Sequence, residues 1–252
     1  MDQKTAIYNT AIHLGDNALI LGHRISEWCG HGPVLEQDIA LTNISLDLIG
    51  QSRNYFDYAG KLSGNDLTED DLAYKRDVLD FKNFLLAELP NEDFAVTIAR
   101  QFYYDVWHLL ALNQLQNSKD EGLSDIALKS LKEVTYHSRF SSEWIVRLGD
   151  GTAESKERIQ DAINDLWMWT GEMFEQTVEE KALAEAGILF DSPFLKQAWF
   201  AKVKEVLDEA TLEMPTDEWM QTGGKSGIHT EYLGYILAEM QFLPRAYPDA
   251  KW

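Results

Sequence analysis

The chain has 252 residues, of which 45% are hydrophobic, so it can bury a substantial core in one large domain or in two ordinary ones. Its 22 Lys and Arg against 42 Asp and Glu give a formal net charge of −20, which argues against binding to nucleic acid or to an anionic membrane and favours a soluble protein with a basic partner. Cys29 is the only cysteine, and neither an export signal nor a membrane-spanning apolar run is seen, so we expect a cytoplasmic protein without an internal disulfide.

The first quarter of the chain predicts two long helices. Apolar residues at spacings of three and four indicate helices over residues 4 to 28 and 34 to 61, separated by a glycine-rich break. The acidic stretch 65 to 71 is typical of a solvated loop or a short turn, and residues 77 to 87 predict a shorter apolar helix. These elements place helices along most of the first 90 residues.

The middle of the chain predicts three more long helices. Asn91 is a candidate N-cap for a helix that runs to about residue 117. Further periodic rows indicate a helix that ends near residue 148 and another over residues 154 to 180. Carboxylates recur on the inner faces of all three helices.

The last part of the chain predicts two helices and a loop. Ser192 and Pro193 are typical of a helix start, and that helix is expected to run to about residue 212. After the glycine-rich loop 222 to 229, a helix over 231 to 242 is expected to end at Pro244. Since no strand pattern, repeat or long linker is seen, we predict a single all-α domain over residues 1 to 252.

Asp105 and His108 stand out because both fall within the apolar stripe of the central predicted helix. Their spacing of three residues places them on one helix face, as it does for the two ligands that one helix offers to a metal. Di-iron carboxylate bundles use a Glu from each of two helices and a Glu-x-x-His pair from each of the other two. The question is therefore whether the other helices complete such a set.

A nearly complete set can be traced on four successive predicted helices: Asp47, Asp105-x-x-His108, Glu133 and Asp165-x-x-Met168. Met168 stands where the second histidine is needed, and three of the four acids are the shorter aspartate. A centre of this kind would lack a nitrogen ligand, so we expect no metal in this chain. The alternative is a buried polar network of Asp47, Asp105, His108, Glu133 and Asp165 with partners such as Arg53 and Arg100.

Five distinctive stretches are spread along the chain: Leu14-Gly-Asp-Asn17, Ser26-Glu-Trp-Cys-Gly-His-Gly-Pro33, Leu46-Asp-Leu-Ile-Gly-Gln-Ser-Arg-Asn54, Tyr104-Asp-Val-Trp-His108 and Thr222-Gly-Gly-Lys-Ser-Gly-Ile-His-Thr-Glu-Tyr-Leu-Gly234. Together they resemble the accessory subunit family of bacterial phenylacetyl-CoA epoxidases, and the resemblance runs from end to end. The resemblance implies a ferritin-like four-helix bundle with additional helices. It also implies a hetero-oligomeric oxygenase that converts phenylacetyl-CoA to its ring 1,2-epoxide during aerobic phenylacetate breakdown.

In that family the accessory subunit is not catalytic, and its partner is a related catalytic subunit that carries the iron. Other components include a reductase that delivers electrons from NADPH, so the resemblance implies no cofactor in this chain. It further implies that the chain helps to hold the CoA end of the substrate through segments that correspond to Val78, Leu79, Asp80 and Phe81 and to Glu179, Glu180 and Lys181. Lys75, Arg76, Lys82 and Lys181 are expected to supply surface cations for the CoA phosphates.

Two other functions stay open at the level of the sequence. One is an independent di-iron carboxylate oxidase or oxygenase, which metal analysis would identify. The other is a ferritin-like binding protein unconnected with catalysis, which would fail to bind the catalytic subunit of an epoxidase.

Overall fold

The computed structural model describes residues 2–65, 67–216, 219–248 and 250, and all regular secondary structure in this part of the chain is helical. The all-α class is confirmed, and four helices of 22 to 29 residues are compatible with the ferritin-like fold. The helices are α1 (Gln3–Ser26), α2 (Leu35–Ser63), α3 (Glu69–Tyr74), α4 (Leu85–Glu88), α5 (Phe94–Leu115), α6 (Glu121–Gly149), α7 (Ala153–Trp167), α8 (Val178–Glu185), α9 (Ser192–Glu209) and α10 (Glu231–Ala246), with 3₁₀ turns at Val78–Asp80, Gly171–Phe174 and Gly224–Ser226.

The chain divides into two compact units. Unit 1 comprises Met1–His31, Glu36–Pro90 and Gly223–Trp252, and unit 2 comprises Gly32–Leu35 and Asn91–Thr222. The single-domain organisation expected from the sequence stays a prediction. None of the described helices combines the length and apolar character needed to cross a lipid bilayer.

Unit 1 is built around α1, which packs against α4 and α10. Small residues let α1 approach α2 closely, because a Cβ at Gly15 would lie 2.5 Å from the ring of Phe56. The Ser45 hydroxyl of α2 donates to the carbonyl of Gly22 over 2.7 Å. These contacts bury almost the whole of α1 from residue 10 to residue 22.

Unit 2 is built around α5, which packs against α6, α7 and α9. Its large aromatic side chains are buried, and two hydrogen bonds between an aromatic side chain and a backbone carbonyl join it to α7 and α9. The Tyr103 hydroxyl donates to the carbonyl of Ile163 over 3.0 Å, and the indole N–H of Trp199 donates to the carbonyl of Tyr103 over 2.9 Å. Hydrogen bonds of this kind fix α5 as the central helix of unit 2.

The predicted helix over residues 77 to 87 is wrong. The structure has a 3₁₀ turn, an extended stretch from Phe81 to Phe84, and only then the short helix α4. The physical reason is that side chains of α1 take the backbone donors: the N–H of Lys82 donates to Asp16 over 2.8 Å and the N–H of Phe84 donates to Asn17 over 2.8 Å. Tertiary hydrogen bonds thus replace the helical ones.

The predicted helix over residues 154 to 180 is also wrong, since α7 ends at Trp167. The Thr170 hydroxyl donates to the carbonyl of Trp167 over 2.8 Å, and the N–H of Gln221 donates to the carbonyl of Met168 over 2.7 Å. These bonds satisfy carbonyls at the end of α7 that a longer helix would otherwise use. A 3₁₀ turn and the separate helix α8 follow.

Three smaller differences have local causes. The acidic stretch expected to be a loop leads into α3, because Thr68 and Asp71 form a reciprocal capping box. The N-cap of α5 is Asp93 rather than Asn91, since the Asp93 carboxylate accepts from the N–H of Val96 over 3.0 Å. Pro244 lies within the last turn of α10, which ends at Ala246.

Candidate functional site

The two side chains that stand out in the sequence, Asp105 and His108, both lie in the core of unit 2. Asp105 is fully buried and His108 is 2% exposed. They belong to α5, whose turns from Thr97 to His108 are wholly buried, so the helix has no solvent-facing side on which to place them. A carboxylate here must be satisfied by protein groups.

The partners of Asp105 come from α5 itself and from α6. The Gln101 amide nitrogen donates to one carboxylate oxygen of Asp105 over 2.6 Å, and the Ser141 hydroxyl lies 2.8 Å from the other. The same hydroxyl lies 3.0 Å from the carbonyl oxygen of His137. We refer to Gln101, Asp105, His108, His137 and Ser141 as the α5–α6 polar cluster.

Burial dominates the electrostatics of this cluster. It raises the pKa of Asp105 to about 7, against the opposing influence of the imidazole of His137 and of the hydrogen bonds from Ser141 and Gln101. Burial also lowers the pKa of His108 to about 3, and His137 acts in the same direction. Near neutral pH the His108 ring is therefore uncharged, and Asp105 holds its proton over much of the acidic range.

The hydrogen-bond geometry independently favours a protonated Asp105. The Ser141 hydroxyl has one hydrogen but three acceptors within reach, the Asp105 carboxylate, the His137 carbonyl and, at 3.4 Å, the Ser138 carbonyl. If Asp105 carries the proton, it can donate to Ser141, which is then free to donate to the carbonyl of His137. The cluster can thus hold a proton in the core without burying a net charge on Asp105.

The other predicted members of the set do not all lie in a core. Asp165 is exposed on α7, so its prediction as an inner carboxylate is wrong. Met168 is the half-buried C-cap residue of α7, and Glu133 is half-buried on α6. Asp47 is half-buried on α2, in unit 1.

The expected arginine partners are also engaged elsewhere. Arg53 is exposed and its guanidinium lies 3.1 Å from the carboxylate of Glu69. Arg100 is fully buried, and its guanidinium donates to the side chain of Asn91 over 2.5 Å. Of the predicted network, Asp105 and His108 are both buried, but only Asp105 has hydrogen-bond partners from its own and a neighbouring helix. The Nδ1 nitrogen of His108 has no hydrogen-bond partner among the described residues, and Asp165 is not buried.

A di-iron centre does not fit the residues present. Within unit 2 the only fully buried carboxylate of the predicted set is Asp105, and its oxygens are already hydrogen-bonded to Gln101 and Ser141. Across the described residues, no three His, Cys, Asp or Glu side chains come together so that they could hold a metal ion. The paired irons of this protein class need bridging carboxylates and one imidazole each.

The segment expected to contact CoA in unit 1 contains both buried and exposed residues. Phe81 is fully buried, so its side chain is part of the core, and that part of the prediction does not fit the structure. Leu79 is 73% exposed, Asp80 is exposed and Val78 is half-buried. A ligand could reach the 3₁₀ turn but not the aromatic ring that follows it.

The prediction of Arg76 as a surface cation is wrong. Its side chain is 14% exposed, and its guanidinium forms a bidentate ion pair with the fully buried carboxylate of Asp16. The guanidinium also lies 4.2 Å from the centroid of the Phe81 ring. Burial raises the pKa of Asp16, whereas Arg76 and the N–H of Lys82 oppose that rise. Arg76 therefore holds α1 to the 3₁₀ segment.

The second segment expected to contact CoA is the start of α8 in unit 2. Glu180 is buried and completes a capping box, since its carboxylate accepts from the N–H of Thr177 over 2.8 Å. Glu179 is half-buried and Lys181 is exposed. Of the predicted cations, Lys75 and Lys181 are exposed and Lys82 is half-buried.

The glycine-rich loop is held in unit 1 by His229, whose side chain is buried. The two ring nitrogens of His229 lie 3.2 Å from the carboxylate of Glu88 and 2.9 Å from the carbonyl of Phe81. The N–H of Thr230 donates to the same carboxylate over 2.7 Å. The loop is thus a structural connection between α4 and α10.

Three members of the α5–α6 polar cluster, namely Gln101, His137 and Ser141, are not identified from the sequence. Gln101 lies one turn before Asp105, and Ser141 lies one turn after His137, so helical spacing alone could have suggested both. His137 stands in the inner row of α6 but at four residues from Glu133, which does not match the di-iron pattern. Which α6 residue faces Asp105 depends on how the two helices pack.

Comparison with known proteins agrees with the resemblance seen in the sequence. The family model described as "Phenylacetic acid catabolic protein" matches residues 1–252, the whole chain. A protein of Escherichia coli (strain K12), described as the C component of 1,2-phenylacetyl-CoA epoxidase, is 48% identical over 252 residues, which cover all of both chains. The chain therefore belongs to the phenylacetic acid catabolic protein family.

Proposed function

We propose that this chain is the accessory subunit of a phenylacetyl-CoA 1,2-epoxidase that acts in aerobic phenylacetate breakdown. The observation that carries the proposal is the 48% identity to a component of such an epoxidase over the entire length of both chains. Because the match extends across both chains, the proposal does not depend on any single local motif.

The chain carries no oxygen chemistry of its own in this proposal. The α5–α6 polar cluster offers one buried carboxylate that is already hydrogen-bonded, and Asp165 is exposed. The iron belongs to a related catalytic subunit, and electrons reach it from NADPH through a reductase component. These considerations favour a scaffold over an independent di-iron oxidase.

The contribution of the chain is to stabilise the catalytic subunit in a cytoplasmic complex. An exposed apolar row on α2 supports this role, because Ile39 and Leu46 are 51% and 61% exposed and lie two turns apart on one helix face. Exposed apolar side chains that share a face are typical of protein interfaces. We propose that this row is covered by the catalytic subunit, whereas an unrelated ferritin-like binding protein would need no such partner.

Fewer residues can contact phenylacetyl-CoA than the sequence suggested. Val78, Leu79 and Asp80 at the 3₁₀ turn, with Glu179 and Lys181 at the start of α8, have the exposure that contact with phenylacetyl-CoA requires. Phe81 and Glu180 instead support these segments from within. Lys75, Lys82 and Lys181 are the cations that could face the CoA phosphates.

Co-expression with the catalytic subunit tests the proposal. We expect the catalytic subunit to co-purify with this chain and to lose solubility or epoxidase activity without it, as in obligate complexes that bury more than about 2,000 Å². Ile39→Asp with Leu46→Asp should abolish co-purification while circular dichroism stays that of a folded helical chain. Phe194→Asp is the matched control, because Phe194 is 62% exposed but lies at the start of α9.

Two results would contradict parts of this proposal. If the catalytic subunit is as soluble and as active alone as in the presence of this chain, the scaffold role is wrong. If the α2 variant co-purifies as well as the Phe194→Asp control, the interface lies elsewhere.

A further inference from the structure

A groove of about 460 Å³ lies on unit 2, where it is lined by residues of α6 and α9 and by Leu109 of α5. Its apolar lining consists of Leu109, Val146 and Val206, of which Val206 is buried and the other two are half-buried. We call it the α6–α9 groove. Its volume falls within the range of small-molecule sites in proteins, about 300–1,000 Å³.

The charges around the groove differ from those of the whole chain. Arg139, Arg147 and Lys202 line it together with the two carboxylates of Glu143 and Glu209. Lys202 is also paired with Glu205 over 2.8 Å, so cations and carboxylates are balanced here, whereas the chain as a whole has a net charge of −20. A balanced patch of this kind repels an anion less than the acidic remainder of the chain does.

Two of the cations share one carboxylate. Arg139 and Arg147 lie one turn before and one turn after Glu143, and their guanidinium nitrogens are 3.9 and 3.3 Å from its two oxygens. The guanidinium groups also lie over the rings of Tyr136 and Trp144, at 5.7 and 5.1 Å from the ring centroids. One carboxylate matches only one of the two positive charges, so a second anion could bind between them.

A polar group in the wall of the groove supports the same conclusion. Ser142 is one of the residues that line the groove, and its hydroxyl is shielded from solvent and has no hydrogen-bond partner among the residues that the structure describes. A buried hydroxyl without a partner is costly, and a bound acceptor would satisfy it. Ser142 lies between Arg139 and Arg147 in sequence, next to Glu143.

We propose that the α6–α9 groove binds a small organic monoanion, namely a carboxylate attached to an aromatic or branched apolar body. The apolar lining would contact the body, and the arginines with the Ser142 hydroxyl would bind the carboxylate. Inorganic phosphate lacks the apolar part, and a CoA thioester lacks the free carboxylate at its acyl end. The inference goes beyond the scaffold role and does not depend on it.

The probe we would use is 4-fluorophenylacetate, observed by fluorine NMR with the purified full chain and with its complex with the catalytic subunit. We expect saturable binding with a Kd of about 0.1–5 mM, because a ligand of this size has few atoms with which to contact the protein. The neutral isostere 4-fluorophenylacetamide should bind at least tenfold more weakly, and the affinity for the acid should fall as salt is added.

Variants locate the site and separate it from a general charge effect. Arg139→Gln with Arg147→Gln should weaken binding at least tenfold. Glu143→Gln should strengthen it about threefold or more, because the competing internal carboxylate is removed. Arg158→Gln is the matched control and should change nothing, since Arg158 is also an exposed arginine paired with a glutamate at i−4, but it lies on α7 outside the groove.

Four results would overturn the proposal. They are the absence of saturable binding up to about 10 mM, equal binding of acid and amide, full competition by equimolar phosphate, and equal effects of the groove variants and Arg158→Gln. Binding to the free chain that is lost in the complex would also overturn it, because the catalytic subunit would then cover the groove in the assembled protein. None of these results bears on co-purification with the catalytic subunit, so the two proposals fail separately.

Discussion

Asp105 and His108 lie one turn apart in the core of unit 2, and burial shifts their pKa values in opposite directions. Folding raises the pKa of Asp105 from 3.8 to about 7, so its contribution to the free energy of unfolding is fully present below pH 3.8 and is lost as the pH rises to about 7. Folding lowers the pKa of His108 from 6.5 to about 3, so its contribution is present above pH 6.5 and is lost as the pH falls to about 3. Between about pH 4 and 6.5 the two contributions oppose each other.

Single substitutions should separate these opposing contributions. Relative to the native chain, Asp105→Asn should gain stability as the pH rises from 4 to 7, and His108→Gln should lose stability as the pH rises from 3 to 6.5. The limit for either slope is about 1.4 kcal/mol per pH unit, which corresponds to one proton. Urea unfolding at several pH values measures both. Differences that do not depend on pH, or that slope in the same direction, would contradict the assignment.

The ion pair between Asp16 and Arg76 should contribute strongly to the stability of unit 1. Arg76→Met should destabilise unit 1 by about 3–5 kcal/mol, because it leaves the fully buried Asp16 carboxylate without its cation. Arg53→Met is the control and should cost about 1 kcal/mol or less, since Arg53 is 74% exposed and pairs with Glu69 at the surface.

Denaturant unfolding followed by tryptophan fluorescence and far-ultraviolet circular dichroism measures both Arg76→Met and Arg53→Met. Equal costs for the two would show that the pair between Asp16 and Arg76 is not a structural contact. The comparison also matters for studies of CoA binding. A substitution at Arg76 would change the fold before it changed any surface charge.

At the scale of elements, α2 contains two glycines that the structure distinguishes sharply. A Cβ at Gly60 would lie 2.3 Å from the backbone carbonyl oxygen of Leu67, so Gly60→Ala forces the connection to α3 to move. A Cβ at Gly50 would meet nothing within 4 Å. Both residues are helical, so their intrinsic propensities are the same.

Alanine at these two positions should therefore have opposite effects. Gly50→Ala should stabilise the isolated chain by about 0.5–1 kcal/mol through helix propensity and reduced backbone entropy of the unfolded state. Gly60→Ala should destabilise it by about 1–3 kcal/mol, the usual cost of overpacking. Thermal unfolding of the two variants side by side decides the matter, and a destabilised Gly50→Ala together with a stable Gly60→Ala would contradict the packing described for α2.

At the scale of the whole molecule, the iron content of the purified chain tests its role. We expect the purified chain to bind no stoichiometric iron after aerobic reconstitution, because Asp105 is the one fully buried carboxylate of the predicted set and a di-iron centre needs bridging carboxylates. Met168→His alone should not change this, since Met168 is the C-cap of α7 and Asp165 is exposed. Elemental analysis and the visible absorption spectrum measure the outcome. About two irons per chain with an oxo-bridged band would show that the chain holds a di-iron centre of its own and would overturn this prediction.

Local patterns in the sequence are enough to establish the helical class, most of the long helices and the family. Apolar spacing predicts α1, α2, α5, α6 and α9 to within a few residues, because periodic burial is a local property of each segment. The same spacing predicts that Asp105 and His108 lie on a buried helix face. The motifs that identify the family are spread along the chain and need no packing information.

Where helices stop and which charges are buried was settled by tertiary packing. The segment after Arg76 is extended because side chains of α1, Asp16 and Asn17, take its backbone N–H groups. Arg76 has the sequence context of a surface cation but pairs with a buried carboxylate more than 50 residues away in the chain. These outcomes depend on partners distant in sequence, and local spacing carries no information about such contacts.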